Sequence, residues 1–442
     1  MTTINLDLNN QNGKIKPMNA VNNGPARPSV RESYSNFYTY KDARIPYARN
    51  HDASFNSEFG GEHTVDVHRI FRNFDADVND PASYIFEPTD CYLKTIVDAG
   101  TKVFYRLGAS IEHGYKYGTR VPKDYLKWAQ ICEHIIRHYT EGWANGFNYD
   151  IEYWEIWNEA DCRNADGSNP CWQGTDQEFI DFFAVVLKHL KECFPDKKIG
   201  GPAIASLWNP IKDGILNRVV EDNLQLDFLS YHWYGCRLSD FAETIELGDS
   251  ILKKRGLNNT ETILNEWNYI KGWRGKDWQY SLETERSLKG ASFITGAMCI
   301  GQALPLDMLM YYDARPCGMN GMFAHETFEL LKGYFPIYAF SDLAEIGNYV
   351  DCGYVNDDIY YTAAANDKEA ALLYTYFDDE EKESEKLVSF DINALSDNTT
   401  AEIYLVDKDN DLALVSTQYF TTKHFTLNIK TELFSTVLVK FK

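Results

Sequence analysis

Between residues 15 and 346, short runs of apolar and β-branched residues alternate with longer stretches whose apolar positions recur with helical period. The short runs Lys16–Asn22, Ile45–His51, Lys102–Leu107, Glu152–Trp157, Lys198–Ile204, Phe228–Trp233, Thr262–Trp267 and Asp307–Tyr312 predict eight strands. The stretches Tyr84–Ala99, Lys123–Glu141, Asp176–Cys193, Ile211–Asp222, Leu238–Arg255 and Glu283–Ile300 predict helices between them. Thr175-Asp176-Gln177-Glu178 reads as a helix start, with a capping hydroxyl and an acidic first turn. Strands that strictly alternate with helices pair in parallel through right-handed crossovers, and eight such units make a (β/α)8 TIM barrel. A doubly wound open sheet would need a Gly-rich phosphate loop after its first strand, and MNAVNNGP is not one.

After about Asn348 the pattern shortens to alternating runs separated by polar turns: Tyr349–Tyr354, Ile359–Ala365, Ala370–Phe377, Lys386–Asp391, Ala401–Val406, Ala413–Tyr419, His424–Ile429 and Ser435–Lys440. Such spacing predicts a C-terminal antiparallel β-sandwich, with the acidic run Asp378–Glu383 as a solvated hairpin tip. Ile4–Leu8 also alternates and is expected to add a strand to that sandwich. The expected organisation is an N-terminal segment (1–14), a catalytic barrel (15–346) and an accessory sandwich (347–442).

A chain of 442 residues exceeds what one core usually serves, which agrees with more than one domain. The formal charge of −22 disfavours nucleic acid and anionic membrane surfaces as partners. No apolar run approaches a membrane span, and MTTINLDLNN lacks the basic and apolar regions of a signal peptide. A cytoplasmic location is expected if the chain is complete, and a periplasmic or secreted one if a leader has been removed. The nine cysteines show no CxxC, and no HExxH occurs, so neither a zinc motif nor a disulfide scaffold is indicated. Cys162 and Cys171 flank RNADGSNP and are placed to bridge in an oxidising compartment. Aromatic residues make up 14 %, enough for both a large core and faces that stack on sugars.

In a barrel the chemistry gathers at the C-terminal ends of the strands. Strand four ends Trp154-Glu155-Ile156-Trp157-Asn158-Glu159 and strand seven ends Leu264-Asn265-Glu266-Trp267-Asn268, so Glu159 and Glu266 face one another across the mouth. Two carboxyl groups sharing a pocket suit hydrolysis of a glycosidic bond. One stays protonated to give its proton to the leaving oxygen; the other stays ionised to attack the anomeric carbon.

Trp154–Glu159, followed by Ile199-Gly200-Gly201-Pro202-Ala203, Asp227-Phe228-Leu229-Ser230-Tyr231-His232-Trp233-Tyr234 and Ile263-Leu264-Asn265-Glu266-Trp267-Asn268, resembles glycoside hydrolase family 39. That family is a retaining barrel clan member and includes β-xylosidases and α-L-iduronidases, with a β-sandwich beside the barrel. The resemblance implies that Glu159 is the general acid/base, Glu266 the nucleophile, and Asn158 a partner of the sugar 2-hydroxyl. It further implies that Tyr234 holds the nucleophile, that His232 lines the sugar pocket, and that Arg49 and His51 support it electrostatically and by hydroxyl contact. Tyr312, at the end of strand eight, and Trp267 join the expected substrate contacts, with Trp172, Trp208, Trp233, Trp273 and Trp278 as further candidate stacking platforms.

Two departures bear on substrate. Arg106 stands where the family places a Glu, and Arg315 lies in a strand-eight loop that lacks the family's acidic pair. Either arginine reads as a contact to a carboxylated sugar or as half of a buried ion pair. The expected activity is retaining, exo-acting hydrolysis of a β-D-xyloside or related pentoside, on an oligosaccharide or glycoside. An iduronidase-, arabinosidase- or endo-type hydrolase of the same clan, or a carbohydrate-binding barrel without turnover, stands as the alternative. Two carboxyls and water suffice for this chemistry, so no metal or organic cofactor is expected.

Overall fold

A computed structural model describes residues 2–26, 35–51, 64–109 and 118–442. Eight parallel strands close a barrel in sequence order: Ala20–Asn22, Tyr47–Arg49, Lys102–Leu107, Tyr153–Ile156, Lys198–Ile204, Phe228–Gly235, Glu261–Tyr269 and Met308–Tyr311, the last pairing with the first. All eight lie within or across the runs expected from the apolar pattern. The first is shorter than expected, because Pro17 has no N–H for a ladder and the chain enters the barrel only at Ala20. Inside, Ala20, Tyr47, Phe104, Tyr153, Phe228, Ile263, Met308 and Met310 fill the lower barrel, so the floor beneath the mouth is solid.

Local chemistry starts the helices where the pattern placed them. Thr175 Oγ1 accepts from the Glu178 N–H while a Glu178 carboxylate oxygen accepts from the Thr175 N–H, a reciprocal cap on Asp176–Cys193. The single helix expected over Glu283–Ile300 is instead two, Gly275–Glu285 and Leu288–Ala303. Ser287 breaks it, its hydroxyl accepting from the Lys289 N–H as a new N-cap. Helix Tyr334–Ile346, not anticipated from the pattern, closes the outer layer.

Residues 2–14 add two strands to the sandwich. Thr2–Asp7 runs parallel to Glu385–Asn393, which pairs with His424–Glu432 in a three-stranded sheet. Gln11–Lys14 pairs antiparallel with Asn348–Val350 at the edge of an eight-stranded sheet. The sandwich is therefore antiparallel except where Thr2–Asp7 pairs with Glu385–Asn393. The run expected over Tyr349–Tyr354 splits into Asn348–Val350 and Val355–Asn356, with Gly353 at φ +81° turning between them.

Helix Leu288–Ala303 joins the two bodies. Residues Lys289 to Gln302 are all buried, because one face packs on the barrel and the other on the sandwich. A helix that is apolar or small all round has no solvent face to offer. Ser292 Oγ meets Thr375 Oγ1 at 2.6 Å and Thr295 Oγ1 meets Thr436 Oγ1 at 2.8 Å across that contact. No helix among the described residues is long and apolar enough to cross a membrane.

Candidate active site

At the C-terminal ends of the barrel strands lies a cavity of about 640 Å³, lined by His51, Glu159, Cys162, Ala205, Ser206, Trp208, His232, Trp233, Tyr234, Glu266, Trp273, Tyr312 and Met319. A second hollow of about 560 Å³ opens at the opposite end of the barrel. Of its carboxylates, Glu152 and Glu261 are held by Lys198 at 3.2 and 2.5 Å and Glu345 by Arg44 at 2.7 Å.

Glu159 and Glu266 converge on the first cavity. A carboxylate oxygen of each, together with a ring nitrogen of His232, lies within 4.8 Å of the others. Glu159 reaches that position through unusual backbone: Trp157 and Glu159 have φ of +75° and +48°. Neither is glycine, so the strained turn is held by its surroundings. Trp157 N donates to Leu107 O (2.6 Å), its indole N–H to Cys171 O (2.9 Å), and Glu159 N to Ala203 O (2.9 Å).

Glu266 is aimed by a different device. Ile263 and Asn265 point into the barrel, and simple alternation would send Trp267 inward after them and Glu266 outward. The ladder to strand Phe228–Gly235 slips by one residue here: Tyr231 pairs with Leu264, but His232 with Glu266. This bulge inverts the parity, so Glu266 enters the cavity and Trp267 turns out. Trp267 is fully buried among Phe241, Phe293 and Tyr311 and touches no part of the cavity. Its expected role as a substrate contact is corrected accordingly.

Beneath the two carboxyls runs a buried polar network. Arg49 donates to Glu266 Oε1 (2.6 Å), to Glu155 Oε2 (2.6 Å), to Asn22 Oδ1 (3.1 Å) and to Asn158 Oδ1 (2.7 Å). Glu155 is completed by Ser230 Oγ and Asn265 Nδ2, both at 2.5 Å. Tyr234 donates to Glu266 Oε2 at 2.9 Å. Burial lifts the Glu266 carboxyl above its ordinary range, opposed by His232, Arg49 and the Tyr234 hydroxyl. His232 Nδ1 meets Glu159 Oε1 at 2.8 Å, and burial lowers the ring to about 4, leaving it neutral near pH 7. Asn158 Nδ2 makes no hydrogen bond among the described residues.

Of the expected contacts, His51, His232, Tyr234 and Tyr312 line the cavity, whereas Arg49 and Asn158 lie just below it. Of the candidate platforms, Trp208 and Trp273 stand exposed at the rim (71 % and 56 %), with Trp278 stacked behind Trp273 at 5.6 Å. Trp233 lines the wall, while Trp172 is core. Arg106 and Arg315 stay out of the cavity. Arg106 is fully buried, 2.6 Å from Asp66 and 2.9 Å from the His51 carbonyl, and Arg315 lies 3.4 Å from Asp313. Sequence reading missed Glu155, whose signal was a charged residue at an inward position of an apolar strand. It also missed Cys162 and Met319, which only loop packing brings to the wall.

A closed parallel barrel with two carboxyl groups facing one another at its mouth defines the class of barrel glycoside hydrolases. The model of the glycosyl hydrolases family 39 matches residues 2–270, and the chain belongs to that family. A β-xylosidase from Geobacillus stearothermophilus is 26 % identical over 144 residues, a match covering 32 % of this chain and only a quarter (25 %) of that protein's length. In three dimensions the chain is similar to a glucosidase from Croceicoccus marinus (TM-score 0.81, 18 % identity, 100 % of this chain and 99 % of that one). A GH30 endoxylanase from Clostridium papyrosolvens C71 is more distant (TM-score 0.66, 14 % identity, 99 % of both chains).

Proposed function

We propose that this glycoside hydrolase cleaves a terminal β-linked pentoside, β-D-xylose foremost, by double displacement with retention. The observation that carries the retaining mechanism is that one oxygen of Glu159 and one of Glu266 lie within 4.8 Å of each other, which fits carboxyl groups about 5–5.5 Å apart rather than an inverting pair. Glu266, held ionised by Arg49 and Tyr234, attacks the anomeric carbon while Glu159 gives its proton to the leaving oxygen. In the second step Glu159 takes a proton from a water whose oxygen bonds to the anomeric carbon, and the bond from that carbon to Glu266 breaks, releasing the sugar. Neutral His232 shares one proton with Glu159 and lets it change role between the steps. The unpartnered Asn158 Nδ2 is left to donate to the sugar 2-hydroxyl, a bond that strengthens as positive charge develops at the anomeric carbon.

The ion pairs of Arg106 and Arg315 remove the sequence-level argument for a carboxylated sugar and support a neutral glycone. The named relatives include a β-xylosidase, a glucosidase and an endoxylanase, which agrees with a neutral sugar and leaves the pentose to the test. That test is initial-rate hydrolysis of aryl glycosides of xylose, arabinose, glucose, galactose and uronic acids, in both anomers, by the wild type and Glu266→Gln. Release from the β-xyloside that disappears in the variant is expected. Release from a uronide, or activity that survives Glu266→Gln, would overturn the reading.

A further inference from the structure

Beside Glu159 lie two thiols that the proposed hydrolysis does not use, Cys162 on the cavity wall and Cys171 buried behind it. Cys162 Sγ donates to Glu159 Oε2 at 3.4 Å. Cys171 Sγ completes a cluster in which the two sulfurs and a Glu159 oxygen all lie within 4.8 Å of one another, and both cysteines are free. Hydrogen bonds hold the scaffold. Cys162 N donates to Glu159 O (3.0 Å), Asn169 Nδ2 to Ala160 O (2.6 Å), and Asn169 Oδ1 accepts from the Cys171 and Trp172 N–H groups (2.9 and 2.8 Å). The polar loop between the cysteines is thus clamped at its base, with the three donor atoms converging.

Two sulfurs and a carboxylate oxygen are a donor set for a soft or borderline divalent cation, and around zinc such atoms stand roughly 3.3–3.8 Å apart. The Cys162–Glu159 separation of 3.4 Å already meets this. The charges around the cluster are favourable. Arg163, next in the chain to Cys162, is turned away onto Asp176 and the Ala160 and Cys162 carbonyls, and the Asp161 carboxyl backs the site. A rival cluster, Glu133, His189 and Cys193 on the outer helices, has Arg137 2.9 Å from its carboxylate, a charge that would repel a cation.

We propose that Cys162, Cys171 and Glu159 form a binding site for a thiophilic divalent cation of the zinc class, with a cavity water as fourth ligand. Binding releases the two thiol protons and the Glu159 carboxyl proton to solvent and takes the Glu159 carboxylate as a ligand. On the proposed function, that carboxylate is then withdrawn from the glycosidic oxygen, so an occupied site is a silenced enzyme.

The experiment uses the full chain kept reduced with a phosphine, and adds Co2+ and then Zn2+. One Co2+ per chain giving a thiolate-to-cobalt charge-transfer band, displaced by Zn2+, is expected, as is loss of hydrolysis at the same zinc concentration. Cys171→Ser should at least halve the band and weaken zinc binding at least about tenfold. If Cys171→Ser lowers Tm, Cys162→Ser at the half-buried rim repeats the test. The proposal falls if no band forms. It also falls if the band survives Cys171→Ser undiminished, which places the cation at Cys193, or if zinc binding is unchanged, which places it among Glu159, His232 and Glu266. Because the band reads the metal directly, a chain that binds Co2+ in this way but hydrolyses nothing keeps the site and loses only the glycosidase reading. A chain that forms the band yet hydrolyses unimpeded by zinc loses the silencing.

Discussion

Arg49 Nη1 stands 2.6 Å from Glu266 Oε1, and both side chains are shut away from solvent. The guanidinium also bonds Glu155 at 2.6 Å, so one buried cation faces two carboxylates. A buried carboxylate without such a partner would stay protonated and could not attack. The acid limb of kcat/KM should therefore lie above the ordinary Glu value of 4.5, since burial raises Glu266 and activity needs its ionised form. Arg49→Met should move that limb to still higher pH and lower the plateau. A limb unmoved in the pH–rate profile would show that Arg49 does not set the charge of Glu266.

The two carboxyls should be separable by chemical rescue. Glu159→Ala is expected to lose roughly 10²–10⁴-fold in kcat on natural linkages, and less on aryl glycosides whose leaving group needs no proton. Azide should restore it and give the glycosyl azide of retained configuration. Glu266→Ala should lose at least about 10⁴-fold, and azide should give the inverted product. Proton NMR of the azides decides the assignment, and exchanged configurations would reverse the roles.

His232 links the site to stability. Its pKa falls from 6.5 to about 4 on folding, because burial disfavours the charged ring. Between those values the unfolded chain binds a proton that the folded chain does not, so stability rises with pH across that window and is lost as pH falls through it. The size is about 3 kcal/mol. Urea unfolding of His232→Asn at pH 4.5 and 7 should show a smaller difference between the two pH values than the wild type does. Equal differences would mean that the ring is not held neutral.

The tryptophans should divide by location. Trp267→Ala empties a fully buried site and should cost about 3–5 kcal/mol. Trp273→Ala and Trp208→Ala, at exposed rim positions, should leave stability within about 0.5 kcal/mol while raising KM for oligosaccharides more than for a simple aryl glycoside. Thermal melts and the KM ratio together check this.

The sequence-level picture succeeds where one strand or helix suffices to place a residue. Glu159 and Glu266 were legible because each ends an apolar run on its own strand, and eight such runs in a barrel share one mouth. The Thr175 cap was legible because its partner, Glu178, lies three positions on in the same helix. Trp267 was misplaced because its direction depends on a one-residue slip against the neighbouring strand, an event between two segments that neither pattern records. Arg106 could be read as a sugar contact or an ion pair until Asp66, forty positions away, was seen against it.

Periodicity and composition thus established the alternation of elements, the barrel and the strand-end residues, since these follow from backbone geometry and the burial of apolar faces. The partners of those residues belong to folding as a whole. The Arg49 network draws on five strands, the Cys162–Cys171 pair on a loop clamped at its base, and the N-terminal strand on a sheet nearly four hundred positions distant. A charge's pKa, a bulge's parity and a thiol's neighbours depend on distances through space, and those exist only once the chain has closed on itself.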